Sequence, residues 1–162
     1  MKPGAKFEVI NPPNTLAAKV SPQGGPTLES IVREAGQALE DLQESYQLWV
    51  RQDLDTIFRL AEEAEADPDV ATNRLQEIAQ ITHDIKGQGA TFEFPLLTHI
   101  ARSLYKLLVE VERSNEQMLK LVRLHADAMN VILKEEIRGS SDELGKHLVE
   151  MLNKAVDKVT GG

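Results

Sequence analysis

Residues 69–92 read DVATNRLQEIAQITHDIKGQGATF, and the fold is decided by how they are read. Leu75, Ile78, Thr82, Ile85, Gly89 and Phe92 recur at steps of three and four. That spacing lines one face of an α-helix, so a helix is predicted from about Asp69 to Thr91. Pro95 suits the first turn of the next helix, where its missing N–H is no loss, and Leu97, Ile100, Leu104, Leu107 and Val111 carry the same periodicity. Ser114, with Gln117 three residues later, has the form of a capping box. The stripe Met118, Val122, His125, Met129 and Ile132 follows, with a stop expected at Gly139. A last helix is expected from a Ser141 cap through Leu144, Leu148, Met151, Ala155 and Val159, ending at Gly161-Gly162.

Upstream, Thr27 followed by Glu29 and Ser30 suits a helix start. Leu28, Ile31, Ala35, Leu39, Leu42, Tyr46 and Trp49 then keep one face, with Tyr46 and Trp49 read as core anchors. Near Asp53 the stripe changes phase to Val50, Leu54, Ile57, Ala61 and Ala64, which suits one bent helix or two in tandem, closed by Asp67-Pro68-Asp69. Residues 1–26 hold five of the seven prolines together with Gly24-Gly25. They read as an irregular arm, either strapped down by Phe7, Val9, Ile10 and Val20 or left as a tail. No segment alternates with period two for long enough to make a strand. The expected fold is therefore all-α: an antiparallel four-helix bundle with accessory helices over 28–160 and an N-terminal arm over 1–27.

Composition limits the function. The chain has 162 residues, one domain's worth, with 41% apolar and 27% charged residues, the balance of a folded globular protein. It has no cysteine, which excludes disulfide frameworks, thiol nucleophiles and thiolate metal sites. No apolar run exceeds three residues, as at Val131–Leu133, so a membrane span is not expected and a cytoplasmic location is. Twenty-six acids against 18 basic residues give a net charge of −8, with no basic patch to receive a nucleic acid. Protein partners are the expectation.

The residues that suggest chemistry lie in 83–92. At ~100° per residue, His83 points ~130° away from the core stripe of its helix and so toward solvent. The positions around it on that side are Ala79, Lys86, Gly87 and Ala90, three of them very small, so a partner surface could come close to the imidazole. Gly87 and Gly89 each cost a helix roughly 1 kcal/mol relative to alanine, so both ask for a reason. An imidazole in water is mostly neutral near pH 7, and its lone pair can attack phosphorus. The product would carry roughly −1.5 to −2 charge, which an ammonium at Lys86 could offset. No phosphate-binding glycine loop of the nucleotide-binding kind is present, so the chain has no evident means of taking a phosphoryl group from ATP.

His83-x-x-Lys86-Gly87, then Gly89-Ala90-Thr91-Phe92 and Pro95-Leu96-Leu97, resembles the histidine-containing phosphotransfer (HPt) domains of two-component phosphorelays. The resemblance covers roughly 47–138 as architecture and 83–97 as motif. It implies a phosphocarrier, not an enzyme. His83 would accept a phosphoryl group from a receiver-domain aspartate and pass it to a response regulator, and Lys86 would stabilise its charge. Ala79, Gln80, Gly87 and Ala90 would form the surface on which receiver domains of hybrid histidine kinases and response regulators dock. It further implies a monomer without a cofactor of its own, the Mg2+ belonging to the receiver. The chain departs from the family's pattern at Glu93, ten residues after the histidine, where a glycine usually makes the turn into the next helix.

Two other classes compete with that reading. His83-Asp84 is the doublet of some metal-dependent phosphohydrolases, but those need a further histidine upstream, and none precedes residue 83. A helical adaptor without chemistry would use 79–90 simply as an interaction face. Of the other histidines, His125 falls on a core stripe, His99 flanks one, and His147 reads as a surface residue. No His-x-x-x-His pair exists, so no metal site is expected.

Overall fold

The computed structural model describes residues 25–110, 115–139 and 142–161. Among them the chain forms five helices and no strand: α1 (Leu28–Ala66), α2 (Pro68–Gln88), α3 (Pro95–Glu110), α4 (Glu116–Lys134) and α5 (Glu143–Thr160). The all-α expectation holds. The chain divides into two compact units after Leu39. Of the first, the described part is 25–39, where Thr27 caps α1: its hydroxyl accepts from the Ser30 N–H at 3.2 Å. The arm over residues 1–24, and Val111, Ser114, Ser141 and Gly162, lie outside the described residues.

The second unit, 40–162, holds the core. α3 packs against α2, α4 and α5, and α4 against α5. Ile57, Ile78, Leu97, Ile100, Leu104, Val122 and Met129 are fully buried in one cluster. The stripes read for α2, α3 and α4 are buried where described, and Phe92 packs partly buried against the cluster. α1 is one unbroken helix, and its buried residues Val50, Leu54, Ile57, Ala61 and Ala64 follow the second of the two phases read for it.

The first phase does not hold. Leu28, Ile31, Leu39 and Leu42 are exposed, and Trp49, read as a core anchor, is 53% exposed; Tyr46 alone of the two anchors is buried, stacked on Phe92 with ring centroids 4.4 Å apart. Every residue from Ile31 to Leu42 is exposed whichever side of the helix it occupies, and Trp49 lies ~60° round the helix from the buried Tyr46. The stripe read for α5 is also displaced. Leu144 and Met151 are exposed, and the buried line is Gly145, Leu152 and Val156. The cause is a close approach: a Cβ on Gly145 would overlap the Leu96 side chain, so α5 meets α3 through its glycine.

Two caps fall one residue later than the serines. Asn115 caps α4, its side-chain oxygen accepting from Met118 N–H at 2.8 Å, and Asp142 caps α5, accepting from Gly145 N–H at 2.6 Å. Both are stronger capping residues than most alternatives because a short polar side chain reaches the free amides of the first turn. α4 ends at Lys134, short of Gly139, and α2 begins at Pro68 behind an Asp67 cap and ends at Gln88, short of Thr91.

Candidate functional site

The Asp67 cap and Pro68 start α2, and its buried stripe fixes its rotation, so the positions midway between stripe residues face water. His83 is one of them, with 54% of its side chain exposed. The ring leans on Tyr105 of α3, centroids 5.6 Å apart and planes tilted by 60°. Its Nδ1 lies 3.6 Å from Asp84 Oδ1, too long for a hydrogen bond. Asp84 is held in turn by Gln80, whose Nε2 donates to its Oδ1 at 3.3 Å.

Lys86, one turn along, places its Nζ 4.1 Å above the centre of the Tyr105 ring. His83 and Tyr105 join Gln76, Ala79 and Gln80 around an open depression of about 320 Å³. Gly87 is exposed, and a Cβ there would meet nothing within 4 Å. Among the described residues, none requires a glycine at 87.

Gly89 is different. A Cβ on it would lie 2.8 Å from Thr98 Oγ1 and 3.0 Å from Phe94 O, so the start of α3 needs that position bare. Gly89 O accepts from Phe94 N–H at 2.8 Å, closing the turn. Ala90 belongs to this turn and not to α2, so the helical angle that grouped it with His83 does not apply; it is exposed but outside the depression. Glu93 takes the conformation that a glycine would favour, with φ 66°. Its carbonyl accepts from Gly139 N–H at 3.2 Å, and its carboxylate faces Arg138 at 3.6 Å, tying the turn to the segment that follows α4.

The other histidines separate cleanly. His125 is fully buried, with Nδ1 2.7 Å from Leu121 O and Nε2 3.1 Å from Ser103 Oγ. The carbonyl can only accept, so Nδ1 carries the proton and Nε2 accepts from the Ser103 hydroxyl. Burial pushes its pKa down, against a smaller upward pull from the Leu121 carbonyl, and the ring is neutral. His99 and His147 are exposed. On α1, burial and, to a smaller extent, the negative charge of Asp84 raise the pKa of Asp53. Among the described residues no group of three His, Asp or Glu side chains is arranged to hold a metal ion, and no helix is long and apolar enough to cross a membrane.

Sequence reasoning missed Tyr105. It sits beside the α3 stripe with nothing local to mark it, and only the packing of α3 on α2 brings it to His83. Compared with family models, curated proteins and solved structures, the chain matches none.

Proposed function

We propose that the chain is a phosphocarrier of the histidine-containing phosphotransfer kind, taking a phosphoryl group on His83 from a receiver-domain aspartate and passing it to a response regulator. The observation that carries this reading is an exposed imidazole beside an ammonium, on a helix face where Gly87 leaves open space. With it come the antiparallel four-helix arrangement and monomeric state that the family resemblance implies, and the cytoplasmic location expected from the lack of a long apolar run.

In the transfer, Nε2 of the neutral ring forms a bond to phosphorus as the bond between phosphorus and the aspartyl oxygen breaks. The carboxylate leaves with the electron pair, and the ring keeps its Nδ1 proton. Such transfers need positioning and charge stabilisation more than covalent help. Here Lys86 supplies the cation on this side, and the receiver supplies Mg2+ on the other.

Incubation with a panel of phosphorylated receiver domains tests the reading. The expected label is acid-labile and base-stable, as a phosphoramidate is, and absent from His83→Gln, whose melting temperature should match wild type because an exposed substitution costs under ~0.5 kcal/mol. Labelling that survives in His83→Gln would overturn the assignment. Receivers that bind the chain without labelling it would make it an adaptor.

A further inference from the structure

We propose that Tyr105 is a positioning residue for phosphotransfer, its ring face holding the Lys86 ammonium beside the His83 imidazole before a phosphoryl group arrives. This rests on His83 being the acceptor. The Lys86 Nζ stands 4.1 Å from the ring centre, and the same ring meets the imidazole at 5.6 Å, so one side chain of α3 contacts both groups of α2. Tyr105 is half-buried, and the core residues Leu104 and Leu107 beside it in α3 are fully buried. The backbone that carries the ring is thus fixed by the core and the ring has only two side-chain torsions, whereas a lysine on a helix face is otherwise free to sample many rotamers.

The choice of an aromatic face over a carboxylate has a chemical reason. A carboxylate would hold the ammonium more firmly, but it would add to the negative charge that Asp84 already sets 3.6 Å from the imidazole and repel the incoming phosphoryl group further. A ring attracts a cation through its quadrupole while carrying no net charge. Among the described residues, the Lys86 ammonium meets that ring. Once the phosphoryl group is on His83, its anionic oxygens attract the ammonium more strongly than the ring does, and Lys86 can shift to them without breaking an ion pair.

Phosphorylation rates from a phosphorylated receiver, measured for Tyr105→Phe, Tyr105→Leu, Lys86→Ala and Lys86→Ala/Tyr105→Leu, test this. Tyr105→Phe keeps the ring and should transfer at the wild-type rate. Tyr105→Leu keeps apolar volume without the ring and should be about three-fold slower, the size of an exposed cation–π contact. The double variant should be no slower than Lys86→Ala alone, because the ring acts only through the ammonium. In NMR spectra the Lys86 ε-methylene should be shifted upfield in wild type and Tyr105→Phe, and return to its usual position in Tyr105→Leu. Additive losses in the double variant, an equal loss in Tyr105→Phe, or an absent ring-current shift would overturn the inference while leaving His83 as acceptor. A wild-type chain that never labels would overturn both.

Discussion

The outer face of α2 and the inner face of α4 each present a histidine, and the two could hardly be treated more differently. His83 has an open lone pair, a cation one turn away and bare helix in front of it. His125 has both ring nitrogens engaged and no exposed surface. A residue type with one chemistry becomes a candidate nucleophile in one place and a core strut in the other. The difference lies in which side of a helix it occupies and in what the next helix offers it. Loss of the first should be felt in transfer and loss of the second in stability.

The largest expected effect is on the open face. Gly87→Leu should reduce transfer from a phosphorylated receiver on the order of a hundred-fold by filling the space that a partner needs. The melting temperature should hold or rise, since leucine is the better helix former by roughly 1 kcal/mol. Wild-type transfer by this variant would mean that receivers do not approach over Gly87, and the contrast between the two faces would lose its functional meaning.

Next comes His125→Ala, expected to cost about 2–4 kcal/mol in chemical denaturation, because it leaves a cavity and strands the Ser103 hydroxyl and Leu121 carbonyl. Labelling per folded molecule should not change. The same residue carries a pH dependence. Its folded pKa lies below the 6.5 of a free imidazole, so below that pH the unfolded chain takes up a proton that the folded chain refuses. Its contribution to stability is therefore complete above 6.5 and is lost as pH falls from there toward the folded value. Wild type should lose stability over that window more steeply than His125→Gln, and parallel slopes would count against a neutral, buried ring.

Lys86→Ala should slow transfer about ten-fold, corresponding to 1–2 kcal/mol of partly screened attraction, and the deficit should shrink as salt rises. Lys86→Arg should keep much of the activity. A Lys86→Ala protein as inert as His83→Gln, with its fold intact, would give the cation a role larger than charge stabilisation.

The smallest effect belongs to the turn between the helices. Glu93 at φ 66° carries a left-handed backbone that strains a side-chain-bearing residue by roughly 1–2 kcal/mol, partly offset by the extra freedom a glycine has when unfolded. Glu93→Gly should raise stability by about 0.5–1 kcal/mol, the exposed pair with Arg138 being worth little. A loss of stability would show that the Arg138 contact matters more than the strain. The left-handed turn is therefore available without the glycine.

Much of this was legible in the chain. The periodicity of α2, α3 and α4, the Asp67-Pro68 break and the outward angle of His83 follow from local spacing, which helical geometry converts directly into faces. The stripes of α1 and α5 misled for a reason that spacing cannot carry. An apolar stripe says that a face can be buried, whereas burial needs another element against it. Trp49 has the composition of a core residue and points elsewhere, and α5 is rotated by the approach of Leu96 to Gly145.

The sequence by itself determined the helical class, the exposed imidazole and the lysine one turn from it, because these depend on residues within a few positions of one another. The tertiary structure alone decided that Tyr105 stands beside both, that Gly89 is bare for Thr98 while Gly87 faces none of the described residues, and that burial holds the His125 pKa down. Each of these depends on a neighbour brought from another helix. Distance in space, desolvation and close approach are properties of packed elements, and no local pattern encodes them.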